Sequence, residues 1–195
     1  MKLPALLMAG GEGSRLGAEM EKPLLEFAGR PMVDRVLDAL LGSEGISKVF
    51  VAVTPNTRET QAHLGERDEE IVMVETPGSG YVEDMSFALE ELGLRRALVS
   101  SSDLPMLTSA DVDYVVVEYE ASGGMGSMEV VVPLSLVTQL GFTPNYPRGD
   151  FAATGVNVVD RDDPGESTLL TRRINFAANV NVPSDVEAAL RLHKV

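Results

Sequence analysis

The sequence predicts an α/β fold in three layers, in which a mostly parallel β-sheet lies between helices. Short apolar runs alternate with segments of helical periodicity, a pattern typical of helices that connect parallel strands. The 195 residues are 44% hydrophobic and 24% charged, an ordinary composition for a globular protein. Because no linker-like or repetitive segment interrupts the pattern, we expect one domain over residues 1–195.

The strands are predicted from short apolar runs that are bounded by turn-forming residues. The first run leads directly into a glycine-rich segment. The predicted strands cover residues 5–8, 49–53, 71–74, 97–100, 129–132, 155–159 and 177–182. Residues 141–153 are rich in glycine, proline and aromatic residues, and residues 160–168 are polar, so both segments are predicted to be loops.

The helices are predicted from apolar residues at helical spacing and from capping residues. Pro31 suits the first position of a helix that runs to Leu41, and Gly42 suits its end. Further helices are predicted over residues 57–64, 82–92 and 110–120, and a terminal helix is predicted to open with the capping box Ser184-Asp185-Val186-Glu187. Together, these elements predict a Rossmann-like α/β/α sandwich whose ligands bind at the carboxyl ends of the strands.

Charge and composition exclude several classes of function. The formal net charge of −14 disfavours nucleic acid and anionic membranes as partners. No cysteine is present, so disulfides and thiolate metal sites are excluded. No apolar run approaches the ~20 residues that a membrane-spanning helix needs. The N-terminal apolar segment runs into the glycine-rich segment, so it is interpreted as a strand and a cytoplasmic location is expected.

The most informative segment is the glycine loop that follows the first strand. Gly10, Gly11 and Gly13 allow a sharp turn that directs backbone N–H groups into one concavity, and Ser14 lies beside them. The glycine spacing fails the dinucleotide-binding fingerprint, and no Gly-Lys pair exists for a Walker A loop. The alternative is a simple glycine-rich turn after a strand.

Positive charge follows the glycine loop at Arg15 and at Lys22, which precedes Pro23. Glycines, an arginine and a lysine together suit the binding of a nucleoside triphosphate and the departure of pyrophosphate. Asp103 lies at the predicted end of another strand, where a carboxylate is a suitable ligand for Mg²⁺. Taken alone, Asp103 could equally be a solvent-facing loop or cap residue.

Polar and glycine residues at other strand ends extend the predicted cleft. Gly78 and Gly80 allow close approach to a flat base, and the acidic residues that follow them could recognise a base or cap a helix. Asn179 and Asn181 could complete a Mg²⁺ shell or orient an acceptor phosphate, or simply form a turn. Asn157 could contact an acceptor, or satisfy a bend at the sheet edge.

The motif Ala-Gly-Gly-x-Gly-Ser-Arg-Leu at residues 9–16, with the later Lys22-Pro23, resembles that of the GT-A-like (MobA-like) nucleotidyltransferases. Several further segments resemble one branch, the archaeal GTP:adenosylcobinamide-phosphate guanylyltransferases of cobalamin assembly. These segments are Thr54-Pro55-Asn56-Thr57, Gly78-Ser79-Gly80-Tyr81-Val82-Glu83-Asp84, Ser100-Ser101-Ser102-Asp103-Leu104, Gly155-Val156-Asn157-Val158-Val159 and Asn179-Val180-Asn181.

The resemblance implies a Mg²⁺-dependent transfer of GMP from GTP to a phosphorylated corrinoid acceptor. It implies catalytic roles for Arg15, Lys22 and Asp103, with Asp103 also the metal ligand. The implied nucleotide-binding residues are Ala9, Gly10, Gly11, Gly13, Ser14, Thr54, Asn56, Gly78 and Gly80. The implied acceptor-binding residues are Asn157, Asn179 and Asn181.

Other functions remain compatible with these residues. A molybdopterin or sugar-phosphate nucleotidyltransferase would use the same N-terminal loop. A GTP-binding regulatory module would bind the nucleotide without releasing pyrophosphate. The sequence is also compatible with a homodimer, and it does not establish which base is bound.

Overall fold

The computed structural model describes residues 1–11, 13 and 20–194. Its strands are β1 (Leu3–Met8), β2 (Glu26–Phe27), β3 (Arg30–Pro31), β4 (Ile46–Val53), β5 (Ile71–Glu75), β6 (Arg96–Ser101), β7 (Ser127–Pro133), β8 (Pro147–Arg148), β9 (Phe151–Asp160) and β10 (Glu166–Leu170). Its α-helices are α1 (Met32–Leu41), α2 (Arg58–Gly65), α3 (Tyr81–Glu91), α4 (Ser109–Ala121), α5 (Leu134–Leu140), α6 (Ile174–Ala177) and α7 (Pro183–His193). A 3-10 turn covers Lys22–Leu24.

Within the described residues, the main sheet has eight strands. Seven of them follow the order β10-β7-β9-β6-β1-β4-β5, and β8 pairs with β9 at the side. All pairs among β5, β4, β1 and β6 are parallel, as is the pair of β10 with β7. Strand β9 runs antiparallel to both β6 and β7. The prediction of a mostly parallel sheet is therefore confirmed, with β9 as the main exception.

Helices cover both faces of this sheet. Along β1, successive side chains point to opposite faces, so Leu7 joins the core with Val36 of α1, whereas Leu6 joins the core with Leu89 of α3. These four side chains are almost completely buried. Because each face of the sheet is covered by helices, the predicted three-layer architecture is confirmed.

The structure corrects the prediction of a last strand over residues 177–182. Helix α6 ends at Ala177, and residues 178–182 form an irregular connection to α7. Ala178 and Val180 are fully buried, so burial rather than strand pairing explains the apolar character of this segment. The backbone N–H of Val180 donates to the carbonyl of Asp103 at 2.9 Å.

The two predicted loops are also corrected. Residues 141–153 contain β8 and the first residues of β9, and residues 160–168 contain the start of β10. These strands lie partly exposed at the side or edge of the sheet, so their composition resembles that of a loop. Helix α5 and the small hairpin of β2 and β3 were not predicted from the sequence.

The start of the terminal helix differs from the predicted capping box. Its N-cap is Val182, with Pro183 in the first turn, rather than Ser184. The carboxylate of Asp185 accepts the backbone N–H groups of Asn181 and Val182, so it fixes the segment just before the helix. Among the described residues, no helix combines the length and the apolar character required to cross a bilayer.

Candidate active site

A buried ion pair lies at the centre of the predicted cleft. Lys22 Nζ donates to Asp103 Oδ2 at 2.5 Å, and the two side chains are only 16% and 13% exposed. Lys22 follows the glycine loop, whereas Asp103 follows the carboxyl end of β6. The structure therefore brings together two of the three predicted catalytic side chains. Arg15, the third, lies outside the described residues, as does Ser14.

The Asp103 carboxylate is held by three side chains in all. Its Oδ1 atom accepts the Ser101 hydroxyl at 2.6 Å and the Asn179 amide Nδ2 at 2.9 Å. Together with Lys22 on Oδ2, these donors stabilise the charged form and fix its orientation. Asn179 thus contacts Asp103 directly, and it is nearly fully buried.

Asn181 completes the cluster around Lys22. Its Oδ1 atom accepts Lys22 Nζ at 3.2 Å. Within the described residues, two buried polar atoms of this cluster have no hydrogen-bond partner: Asn179 Oδ1 and Asn181 Nδ2. Because leaving buried polar atoms unpaired is costly, these atoms mark a position that suits a ligand.

Glu21 anchors the segment that carries Lys22. Its carboxylate accepts the backbone N–H of Glu59 at 2.9 Å, the backbone N–H of Thr60 at 2.7 Å and the Thr60 hydroxyl at 2.6 Å. A negative charge is favourable at this place because it meets the positive end of the dipole of α2. The neighbouring Lys22 is therefore tied to the body of the protein through the Glu21 carboxylate.

The described part of the glycine loop lies close to its neighbours. A Cβ on Gly10 would come within 2.4 Å of Thr54 Cγ2, so only glycine fits there without a shift. Gly13 has a φ of +73°, and a Cβ on it would lie 3.1 Å from Lys22 Cβ. Gly11 is exposed beside the cleft, as expected for a residue that faces a ligand.

Two of the predicted nucleotide-binding residues have supporting roles in this structure. Ala9 is fully buried, and its N–H donates to the carbonyl of Ala52 at 2.8 Å, so that N–H extends the sheet. Thr54 is also buried, and its hydroxyl donates to the Gly10 carbonyl at 3.4 Å. Thr54 therefore packs beneath the glycine loop instead of facing the cleft.

The second glycine segment, Gly78-Ser79-Gly80, is ordered by hydrogen bonds to the side chain of Asp84. The Asp84 carboxylate is buried and accepts the backbone N–H groups of Gly78 at 2.8 Å and Ser79 at 3.2 Å. Gly78 and Gly80 both have positive φ values, +77° and +139°, which favour glycine. Asp84 is thus used to order this loop, in line with the capping interpretation of the acidic residues.

Two cavities meet at the Lys22–Asp103 pair. The first, of about 330 Å³, is lined by Met8, Gly10, Gly11, Lys22, Asn56, Gly78, Gly80, Tyr81, Asp84, Ser101, Ser102 and Asp103. The second, of about 440 Å³, is lined by Lys22, Tyr81, Val82, Ser101, Asp103, Glu129, Asn145, Tyr146, Arg148, Ala153, Gly155, Asn157 and Asn181. The residues shared by both are Lys22, Tyr81, Ser101 and Asp103. The ion pair therefore lies at the junction of the two cavities.

The predicted acceptor-binding residues do not all line the same cavity. Asn157 and Asn181 line the second cavity, whereas Asn179 lies beneath it against Asp103. Asn157 Oδ1 also accepts the backbone N–H of Val130 at 3.4 Å, beside an irregularity in the pairing of β7 with β9. Asn157 thus also contacts the backbone at a sheet irregularity, although β9 lies inside the sheet and not at the edge that the alternative interpretation assumed.

Three residues of the site were missed as contributors by sequence reasoning. Ser101 and Glu21 were quoted only within motifs. Ser101 acts on Asp103, two residues further along the chain, and Glu21 acts on α2, 39 residues further along the chain. Tyr81 lines both cavities. Desolvation raises the pKa of the Tyr81 phenol, and the negative charge of Asp103 raises it further, although 41% of the residue is exposed. At neutral pH, Tyr81 therefore remains a hydrogen-bond donor.

Comparison with known proteins identifies the family. The family model of the MobA-like NTP transferase domain matches residues 5–136. The chain belongs to this family. The glycine loop, Lys22 and Asp103 all fall within the matched region, and so does the first cavity.

Similarity to relatives in sequence covers nearly the whole chain. The chain is 29% identical to the adenosylcobinamide-phosphate guanylyltransferase of Methanocaldococcus jannaschii, an alignment that covers 98% of each chain. It is 30% identical to the bifunctional protein GlmU of an Exiguobacterium species over 90% of this chain, but it spans only 38% of that protein.

Solved structures show the same α/β fold. A CMP:2-keto-3-deoxy-manno-octonic acid synthetase in complex with CTP superposes over 100% of both chains with a TM-score of 0.71 and 16% identity. A putative glucose-1-phosphate thymidylyltransferase from Bacillus anthracis superposes over 97% of this chain and 94% of its own with a TM-score of 0.70 and 13% identity. At such identities, the likeness establishes the α/β architecture alone.

Proposed function

We propose that this chain is an adenosylcobinamide-phosphate guanylyltransferase that acts in the cytoplasm. It would transfer GMP from GTP to adenosylcobinamide phosphate and release pyrophosphate. The observation that carries the proposal is the meeting of two cavities at Lys22 and Asp103. The relative from M. jannaschii, which matches 98% of the chain, supports this choice of acceptor.

The first cavity suits the nucleotide. It contains backbone of both glycine segments, which allow close approach to phosphates and to a flat base. The second cavity, beyond the ion pair, is left for the acceptor. In this arrangement, an acceptor phosphate would reach the α-phosphate of GTP beside Lys22.

The reaction is an in-line displacement at the α-phosphorus of GTP. An oxygen of the acceptor phosphate forms a bond to that phosphorus, and the bond to the oxygen that bridges the α- and β-phosphates breaks. The acceptor is already anionic near neutral pH, so no strong general base is required. Positioning and charge stabilisation therefore supply the catalysis.

Lys22 would stabilise the negative charge that develops on the α-phosphate and on the leaving pyrophosphate. To do so, its ammonium group would exchange Asp103 Oδ2 for phosphate oxygens. Asn181 Oδ1 would keep contact with the ammonium group, and the Glu21 anchor would keep its backbone in place. Ser101 and Asn179 would meanwhile hold the Asp103 carboxylate.

The cluster also suits Mg²⁺. Asp103 and the unpartnered Asn179 Oδ1 are oxygen ligands of the type that Mg²⁺ prefers. Within the described ranges, no group of three or more acidic or histidine side chains could enclose a metal by itself. We therefore infer that phosphates and water would complete the coordination. When bound, Mg²⁺ supplies positive charge that neutralises the triphosphate and the pyrophosphate.

A pyrophosphate-release assay tests the proposal. Purified full-length chain with Mg²⁺ is incubated with each of the four nucleoside triphosphates and with adenosylcobinamide phosphate, molybdopterin or glucose 1-phosphate. We expect release only with GTP and the corrinoid. Release with another acceptor would assign the chain to a different transferase. GTP binding without release for any acceptor would favour a regulatory module.

A further inference from the structure

The second cavity continues away from the ion pair into a neighbouring apolar hollow. This hollow, of about 330 Å³, includes Val131, Phe151 and Thr168 of strands β7, β9 and β10. It shares Tyr146 and Arg148 with the second cavity. The two spaces therefore form one path from Lys22 and Asp103 to the side of the sheet.

Two exposed aromatic side chains stand along this path. Tyr146 is 69% exposed and has a φ of +41°, a left-handed conformation that is uncommon for a residue with a side chain. Phe151, at the start of β9, is 41% exposed. We call Tyr146 and Phe151 the aromatic ledge. Clustered exposed aromatic surface beside a cleft is typical of a ligand-binding site.

Arg148 brings positive charge to the same path. It is 79% exposed, and its contact with Glu129 is long, at 3.8 Å. Such an exposed ion pair contributes little, so the guanidinium group can turn to another anion. A guanidinium group matches the oxygens of a phosphate in a bidentate manner. Among the residues that line the second cavity, the cationic side chains are Lys22 and Arg148.

We propose that Arg148 and the aromatic ledge bind the acceptor, and that the acceptor is a phosphomonoester on a large body with an apolar face. The phosphate would lie between Arg148 and Lys22, and the body would rest on Tyr146 and Phe151. The hollow beside the ledge is mainly apolar, so it suits the apolar face of a large acceptor. This inference rests on the proposed function and assigns its acceptor site.

Equilibrium dialysis tests the site without requiring turnover. The full chain is dialysed against adenosylcobinamide phosphate and against unphosphorylated adenosylcobinamide, with and without Mg²⁺ and the α,β-methylene analogue of GTP. The corrinoid is measured by its visible absorbance. The variants are Arg148→Ala and the double variant Tyr146→Ala/Phe151→Ala. Matched controls are Arg172→Ala and Val117→Ala, which remove exposed side chains away from the path.

The two variants should differ in a way that reports their roles. Arg148→Ala should weaken binding of the phosphorylated corrinoid about tenfold, the effect of one charge-assisted contact, and leave the unphosphorylated one unchanged. The double variant should weaken both ligands about tenfold or more. GTP binding and the control variants should match the wild type within about twofold.

The outcomes test the proposed acceptor site and the proposed function separately. Wild-type affinity in both variants, or no corrinoid binding by the wild type under any condition, would overturn the inference. Corrinoid binding that depends on these residues, without pyrophosphate release from GTP, would uphold the site and reject the proposed function. Normal release in the wild type with unaffected variants would uphold the function and reject the site.

Discussion

The side of the cleft that we assign to the nucleotide and the side that we assign to the acceptor are built in different ways. On the nucleotide side, the first cavity uses loops that follow the parallel strands β1, β4, β5 and β6, and several of its lining residues are consecutive or nearly so. On the acceptor side, the second cavity uses single side chains from β7, β8, β9 and the segment before α7. The family model ends at residue 136 and so covers only the start of this side.

This difference explains why the sequence predicted the nucleotide side as a motif, whereas on the acceptor side it indicated only isolated residues such as Asn157 and Asn181. A phosphate-binding loop needs a short, specific run of residues, so a motif reveals it. A surface made of alternate residues from several strands leaves no such run.

The largest expected effect comes from the residue that joins the two sides. Asp103→Asn keeps the shape of the side chain but removes the charge that pairs with Lys22. We expect turnover to fall about 10²–10³-fold, the usual cost of one preorganised electrostatic contact. Pyrophosphate release measures the effect, and Asp162→Asn, an exposed carboxylate, is the control. Turnover within a few-fold of the wild type would remove Asp103 from the mechanism.

A smaller effect on turnover is expected at Gly155, where the acceptor side packs against Ser101. A Cβ on Gly155, which has a φ of +80°, would lie 2.5 Å from Ser101 Oγ. Gly155→Ala should therefore displace Ser101 from Asp103 and lower turnover about tenfold. Gly93→Ala is the matched control, because its φ is also positive, at +61°, but nothing lies within 4 Å of the added Cβ. Equal losses in both variants would show that backbone strain alone is responsible.

On the nucleotide side, the Glu21 anchor offers a further test. Glu21→Ala removes the acceptor of three hydrogen bonds at the start of α2, so Lys22 should be less well positioned. We expect kcat to fall about fivefold with little change in the KM for the corrinoid. Glu21→Gln should restore part of the loss, because its amide oxygen still accepts. Glu59→Gln, at the same helix end, should behave like the wild type, and an unchanged kcat in Glu21→Ala would reject the anchoring role.

The smallest effect on activity is expected where strands β6 and β9 pair, between the two sides. Asp160 of β9 accepts Arg96 of β6 at 2.8 Å. Burial by itself would raise the pKa of Asp160. The hydrogen bonds from Arg96 and from the backbone N–H of Asp162, together with the charges of Arg96 and Arg95, outweigh burial, so the pKa is lowered. The resulting stability is present above the unfolded pKa of about 4 and is lost as the pH falls toward the lowered folded pKa.

Asp160→Asn should therefore lower the melting temperature at pH 7 by about 5 °C while leaving turnover near the wild-type value. The difference in melting temperature between the variant and the wild type should shrink as the pH falls below about 4, because the wild type then loses the same interaction. Thermal unfolding at several pH values measures this, with the exposed Asp162→Asn as the control. A deficit that is independent of pH would show that the charge of Asp160 is not its source.

Much of the fold was open to prediction because strand and helix periodicities differ. The exceptions are informative. Residues 177–182 are apolar because Ala178 and Val180 fill the core, and an apolar run does not reveal whether its burial comes from a strand or an irregular segment. Strand β10 alternates between exposed and partly buried residues at the edge of the sheet, and its sequence is polar enough to resemble a loop.

The sequence by itself determined the layered α/β architecture, the glycine loop and the choice of Lys22 and Asp103. Those features depend on local periodicity and on short runs of residues, and both are visible in one dimension. Only the tertiary structure decided that Ser101 and Asn179 hold Asp103, that Glu21 anchors Lys22 through α2, and that a second cavity opens beside the first. These features join residues up to 159 positions apart, and only the packing of the sheet brings such residues within hydrogen-bond distance.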